Sequence, residues 1–271
     1  MLRLAIRVRR EDAELVLAEL LELAPGGVEE VELGDGIEYA VYGAPGELPA
    51  LPDLRAAVGA ALVEVSTREI PDDWAERWRE FHRPLVLGGA ITVRPPWEQP
   101  GETPIDVVID PGQAFGTGAH ATTRLCLELM LRLRQQAAGP LLDLGCGSGV
   151  LGIVAAGLGW TPVMAVDHDP ASVQAAGVNA AANGVRLDVR RLDLRTDPIP
   201  EAPMVVANLL SPLLIGWASR IGPVQPRRVI ASGILVTEAD AVARAFSASG
   251  LAVTDSRVSG EWVALLLERG G

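Results

Sequence analysis

The chain of 271 residues contains no lysine: the 23 positions counted as lysine or arginine are all arginine, as an arginine-biased genome would write them. This leaves no ε-amine on the chain for chemistry of its own. Cysteine is nearly as scarce. Cys126 and Cys146 are the only two, one in a predicted helix and one in a glycine turn, and no metal-ligand spacing surrounds either, which argues against a disulfide and against a metal site. Long apolar runs are missing as well, since Arg, Glu or Pro interrupts every stretch before it reaches about 18 residues, and no membrane span is expected. The opening Met1-Leu-Arg-Leu-Ala-Ile-Arg-Val-Arg-Arg10 alternates at period two without an apolar h-region or cleavage site, so it predicts a strand of a cytosolic protein. Positive charge is in short supply. A net charge of −12 argues against gripping nucleic acid through its phosphates, and it suits either a basic partner or simple solubility. The acidity is uneven, with 14 acids against 6 arginines in residues 1–70 and 21 against 17 in the remainder.

What is present centres on Pro140-Leu-Leu-Asp-Leu-Gly-Cys-Gly-Ser-Gly-Val150. Leu141, Leu142 and Leu144 read as a short buried strand, Gly145, Gly147 and Gly149 as a tight turn, and Leu151 to Leu158 as a helix. Glycines there permit positive φ and leave room for a ligand against backbone N–H groups at a helix N-terminus, although a βα turn without a ligand has the same signature. Twenty-two residues past Gly145, the strand Pro162 to Asp167 ends in the carboxylate that a nucleotide-binding βαβ unit places on ribose hydroxyls. The spacing is Gly-x-Gly-x-Gly rather than the Gly-x-Gly-x-x-Gly that accommodates a pyrophosphate. A ligand with ribose and no phosphate fits better, and S-adenosylmethionine is the candidate.

Read in order, residues 1–70 predict strand, helix, strand, strand, helix and strand, with the hairpin turn at Gly34-Asp-Gly36; this is the βαββαβ pattern of a ferredoxin-like domain. Residues 71–97 read as a connection. Within it Trp74, Trp78 and Phe81 recur at i, i+4 and i+7, giving a helix with an aromatic face before Pro84. Residues 98–271 carry an α/β rhythm: strands at Ile105 to Ile109, Leu141 to Leu144, Pro162 to Asp167, Val185 to Arg190, Met204 to Asn208 and Arg228 to Ser232, with helices between most of them. The last two runs, Leu251 to Val258 and Trp262 to Leu267, are joined by a link too short for a crossover helix and must be antiparallel. A parallel Rossmann-like sheet closed by an antiparallel hairpin is the sheet of a class I methyltransferase.

Five motifs stand in one order: Asp110-Pro-Gly-Gln-Ala-Phe-Gly-Thr-Gly-Ala-His-Ala-Thr-Thr123, Asp143-Leu-Gly-Cys-Gly-Ser-Gly149, Ala165-Val-Asp-His-Asp-Pro170, Val205-Val-Ala-Asn-Leu-Leu210 and Ala231-Ser-Gly-Ile-Leu235. Together they resemble the bacterial ribosomal protein L-eleven methyltransferase family. The resemblance implies a ferredoxin-like substrate-recognition domain, a flexible connection and an S-adenosylmethionine-dependent domain that methylates amino groups of ribosomal protein L-eleven, the N-terminal α-amine and lysine ε-amines. It also implies cofactor contacts by Thr123, Gly145, Asp167 and Asn208. A cytoplasmic monomer is the expected state.

Four residues are candidates for the transfer itself. Asn208 falls at a strand C-terminus, where its amide oxygen could accept a hydrogen bond from the attacking amine and aim it, although Asn is also a common turn or cap residue. His120 serves either as a base or in ordering the Asp110–Thr123 loop. Phe115 is placed to cover the transfer site, and Thr117 with its flanking glycines suggests a loop that closes over the cofactor. Two other readings compete. Glutamine and adenine N-methyltransferases carry Asn/Asp-Pro-Pro-Tyr/Phe after the fourth strand, where this chain has Asn208-Leu-Leu-Ser211. A binding module for a basic protein, with a decayed catalytic half, would lack the intact cofactor positions.

Overall fold

The computed structural model describes residues 2–13, 16–17, 20, 28–33, 36–43, 48–49, 59–69, 83–111, 120–222, 224 and 226–270. Its described residues before 82 form one unit and those after it a second. The aromatic-faced helix expected around Trp74 to Phe81, the helix expected at Asp53 to Gly59 as far as residue 58, and the loop residues Phe115 and Thr117 lie outside the described residues.

In the first unit four strands, β1 (Leu2–Val8), β2 (Glu29–Leu33), β3 (Gly36–Gly43) and β4 (Leu62–Glu69), form an antiparallel sheet in the order β2-β3-β1-β4. This is the order two interleaved βαβ units produce, because each pair of parallel strands admits one strand of the other unit between them. Period-two alternation in β1 turns Leu4, Ile6 and Val8 to one face, where they meet Tyr39 and the helical residues Ala13, Val16 and Leu20 in a buried cluster. The Tyr39 hydroxyl donates to the Ala13 carbonyl at 2.9 Å, so the one polar atom of that large side chain is satisfied inside the core.

The second unit has two sheets. Strands β5 (Leu85–Leu87), β6 (Ile91–Arg94) and β7 (Ile105–Val108) make a small one, antiparallel between β5 and β6 and parallel between β6 and β7. Arg94 locks it by a bidentate pair with Asp106, at 2.8 to 3.0 Å, and a bond to the Glu98 carbonyl. The strand at Ile105 therefore belongs to this satellite and not to the main sheet.

The main sheet contains β8 (Leu141–Leu144), β9 (Val163–Asp167), β10 (Asp188–Arg191), β11 (Met204–Asn208), β12 (Arg228–Leu235), β13 (Leu251–Ser259) and β14 (Trp262–Arg269), in the order β10-β9-β8-β11-β12-β14-β13. The first five are parallel, and β13 and β14 form the antiparallel hairpin the short link demands. Alternate residues feed opposite layers: Leu141, Val206, Ile230 and Leu266 enter one buried cluster, and Leu142, Val205, Val229 and Leu267 the other. Helices α1 (Ala121–Arg132) and α2 (Val150–Leu158) contribute to the first layer, and α4 (Ser211–Ala218) and α5 (Ala239–Ala248) to the second; α3 (Pro170–Ala182) follows β9. Covered on both sides, these strands need continuous apolar runs, which is what the sequence supplies.

Two boundaries moved for local reasons. Expected from Val185, strand β10 starts at Asp188 because Gly184 (φ +64°) and Val185 close α3: Gly184 N–H donates to Ala181 and Val185 N–H to Ala180, a Schellman stop. Strand β12 runs on past Ser232 to Leu235 through a bulge at Gly233, whose φ is +80°.

Candidate functional site

Parallel strands β8, β9, β11 and β12 deliver their C-terminal ends to one edge, and the expected site residues collect there. After β8 the chain turns on Gly145, Gly147 and Gly149, with φ of +77°, +50° and +81°. The turn is pinned from β9, since the Gly145 and Cys146 N–H groups both donate to the Val166 carbonyl, at 2.8 and 3.0 Å. Asp167, at the tip of β9, accepts from Gly147 N–H at 2.9 Å with one oxygen and from Asp169 N–H at 3.0 Å with the other. Two of the glycines answer to protein neighbours: a Cβ on Gly145 would collide with Leu209 Cδ2, and one on Gly149 would lie 3.0 Å from Ala176 Cβ. The close approach there is of chain to chain.

Beneath the turn lies Asp143, fully buried. Its Oδ2 accepts from Gly152 N–H of α2 at 2.8 Å, while Oδ1 has no partner among the described residues. Burial, opposed by that one backbone hydrogen bond and reinforced by the Asp167 charge, pushes its pKa up to about 7. Cys146 and Cys126 are both buried, which drives their thiols upward in pKa and keeps them protonated at neutral pH. Neither is a nucleophile.

Across the edge, Asn208 ends β11 and reaches toward the start of α1. Its Nδ2 donates to Thr122 Oγ1 at 3.1 Å and to Thr123 Oγ1 at 3.4 Å. His120 caps α1, with Nδ1 lying 3.3 Å from Thr122 N–H and 2.7 Å from Thr122 Oγ1. A ring nitrogen that accepts from a backbone N–H carries no proton, so the Thr122 hydroxyl donates to it and accepts from Asn208 in turn. The polarity of the chain is thereby set from His120 to Asn208, and the Asn208 Oδ1 receives no hydrogen bond from the described residues. Burial holds the His120 pKa below its ordinary value, which favours the neutral ring this arrangement needs. Trp262 packs edge-on to it at 5.3 Å, and Ser232 Oγ donates to the Thr122 carbonyl at 3.1 Å from β12.

A family model described as ribosomal protein L11 methyltransferase (PrmA) matches residues 53–270. The ribosomal protein L11 methyltransferase of Pelotomaculum thermopropionicum is 35% identical over 97% of this chain and 97% of its own length. This chain belongs to the ribosomal protein L11 methyltransferase family. The Symbiobacterium thermophilum member is 39% identical over 72% of this chain, and that match spans 65% of the relative, just under two thirds. A crystal structure of ribosomal protein L11 methylase from Lactobacillus delbrueckii subsp. bulgaricus, 26% identical, aligns over 70% of this chain and all of that one with a TM-score of 0.61.

Methyltransferases of this family take S-adenosylmethionine as cofactor, and the site is chemically suited to it. The Asp167 carboxylate puts negative charge at the edge where a cationic cofactor would bind, and it stands where ribose hydroxyls need an acceptor. The structure thus brings Thr123, Gly145, Asp167, Asn208 and His120 to one edge. Sequence reasoning passed over Thr122, Ser232, Leu209 and the burial of Asp143, although the Thr-Thr pair and the Ala-Ser-Gly motif were both in view.

Proposed function

We propose that this chain transfers methyl groups from S-adenosylmethionine to amino groups of ribosomal protein L11, acting on the N-terminal α-amine and on lysine ε-amines. The observation that carries the reading is the orientation of Asn208. Its Nδ2 is committed to Thr122 and Thr123, so its Oδ1 is left to accept an N–H of the incoming amine and point the nitrogen lone pair at the methyl. Thr123, Gly145 and Asp167 carry most of the cofactor's binding and Asn208 adds only a minor contact to it; the cofactor supplies a methyl group on a positively charged sulfur. His120 acts here by ordering Thr122, and Phe115 and Thr117 cover the transfer site, an assignment that rests on sequence alone.

Protonation sets the difficulty for each acceptor. An α-amine of pKa about 7.7–8.0 costs roughly 1 kcal/mol to deprotonate at pH 7, and a lysine of about 10.4 costs about 4.6 kcal/mol. The α-amine needs no dedicated base. A lysine becomes competent where desolvation and a neighbouring cation lower its pKa.

In this reading residues 1–70 recognise the basic protein through their acidic surplus, residues 71–97 connect, and residues 98–271 carry out the transfer, in the cytoplasm and as a monomer. Incubation with isotopically labelled cofactor and purified ribosomal proteins, followed by mass spectrometry, tests it. Label on L11 amines is expected. Label confined to another protein, to a glutamine amide or to nucleic acid would overturn the reading.

A further inference from the structure

Asn179 in helix α3 and Asn183 at its C-cap stand one turn apart, and both bond backbone distant in sequence, Asn183 Nδ2 donating also to the Asn179 carbonyl at 2.8 Å. Asn183 accepts from Val108 N–H at 2.8 Å and donates to Val108 C=O at 2.7 Å, taking the place of a neighbouring strand at the edge of β7. Asn179 divides its amide between two segments. Its Nδ2 donates to the Ser148 carbonyl, inside the glycine turn, at 2.9 Å, and its Oδ1 accepts from Asp110 N–H, at the head of the Asp110–Thr123 motif, at 3.2 Å. At 3% exposure Asn179 makes these bonds away from water, where each counts for more. The motif it holds at one end finishes in Thr122 and Thr123, which hold Asn208 at the other.

We propose that Asn179 is a positioning residue for cofactor binding: its single carboxamide fixes the glycine turn relative to the base of the Asp110–Thr123 motif, so the site is assembled before the cofactor arrives. The inference rests on the methyl-transfer reading. Without the bridge the two segments would be brought together only on binding, and that ordering would be subtracted from affinity. Asn183, capping the same helix with the same kind of amide-to-backbone bridge but no contact with the turn, is the matched comparison.

The test is calorimetric titration of the full chain with S-adenosylmethionine and with S-adenosylhomocysteine, alongside thermal unfolding. Asn179→Ala is expected to weaken both ligands about tenfold, the effect of losing one to two buried hydrogen bonds. Asn183→Ala should lower Tm comparably while affinity stays within about twofold, below the loss of a single buried hydrogen bond. Asn179→Asp, assayed above its carboxyl pKa, keeps an acceptor for Asp110 N–H and puts a charged oxygen where the donor to Ser148 stood, so it decides the matter should the alanine variant fail to fold; weakened binding is expected of S-adenosylhomocysteine, which has no sulfonium for the new charge to attract. Unchanged affinity in the Asn179 variants, or an equal loss in Asn183→Ala, would overturn the inference alone. Wild-type protein that bound neither ligand would overturn the methyl-transfer reading and this inference with it.

Discussion

Two side chains at the strand edge do opposite things with a polar group. Asn208 has its donors satisfied and its acceptor presented, so truncation should remove an interaction that matters to the attacking amine and little else. Asn208→Ala is expected to lower kcat on purified L11 about 100-fold, the usual scale for deleting one oriented polar group, with calorimetric cofactor affinity largely kept. Near-normal turnover would refute the role. Asp143 is the reverse case, a carboxyl with one of its two oxygens buried without a donor among the described residues. With its pKa pushed up to about 7, the folded protein retains a proton the unfolded chain has already released, so stability falls as pH rises from about 4 to about 7 and levels off above that. The full cost is on the order of 4 kcal/mol. An asparagine at this position would not titrate and would still accept from Gly152 N–H; the Asp143→Asn variant should therefore show a flatter Tm profile between pH 4 and 7 and a higher Tm at pH 8. A Tm profile with the wild-type slope would show that another group is responsible. Neither property was legible in the sequence: Asn208 was visible as a strand-end amide, but which of its atoms is committed depends on Thr122 and His120, 86 and 88 positions away.

At the scale of elements, the turn that follows β11 is held by two glycines that meet the same residue, Leu209, in different ways. A Cβ on Gly145 would collide with the side chain of Leu209, whereas one on Gly233 would fall 2.6 Å from its backbone oxygen and 2.9 Å from its carbonyl carbon. Both glycines have positive φ, which alone costs an alanine about 1–2 kcal/mol. The two substitutions should part company in the Leu209→Ala background. Shortening Leu209 should recover part of the Tm lost in Gly145→Ala and none of that lost in Gly233→Ala, because a side chain can be removed from the collision and a backbone cannot. Equal recovery in both would mean that Leu209 is not the obstacle. The element order itself was readable, since apolar strands, helical runs and a link too short to cross over dictate a parallel sheet with a terminal hairpin. The satellite sheet was readable only in part: Ile91 to Arg94 and Ile105 to Ile109 both read as strands, but nothing in them announced their pairing or the third strand. Leu85–Leu87 is three residues long, too short for a periodic signal, and the outer edge of β7 is paired by the side chain of Asn183, which caps α3.

For the whole molecule, charge is the property that distinguishes the two ends of the chain. Residues 1–70 hold 14 acids against 6 arginines, while the remainder is closer to balance. A basic protein substrate attracted by that surplus would interact across solvent, where added salt shortens the reach of each charge from about 10 Å at 0.1 M to about 3 Å at 1 M. The cofactor would be held by the largely buried Asp167 and by the uncharged glycine turn, contacts that salt screens far less. Raising salt from about 0.1 to about 0.5 M should therefore increase KM for L11 several-fold and change cofactor affinity by less than about twofold. Steady-state kinetics and calorimetry on the same preparation separate the two. Were KM for L11 indifferent to salt, the acidic surplus of residues 1–70 would be a matter of solubility, and recognition would have to come from apolar or shape contacts instead.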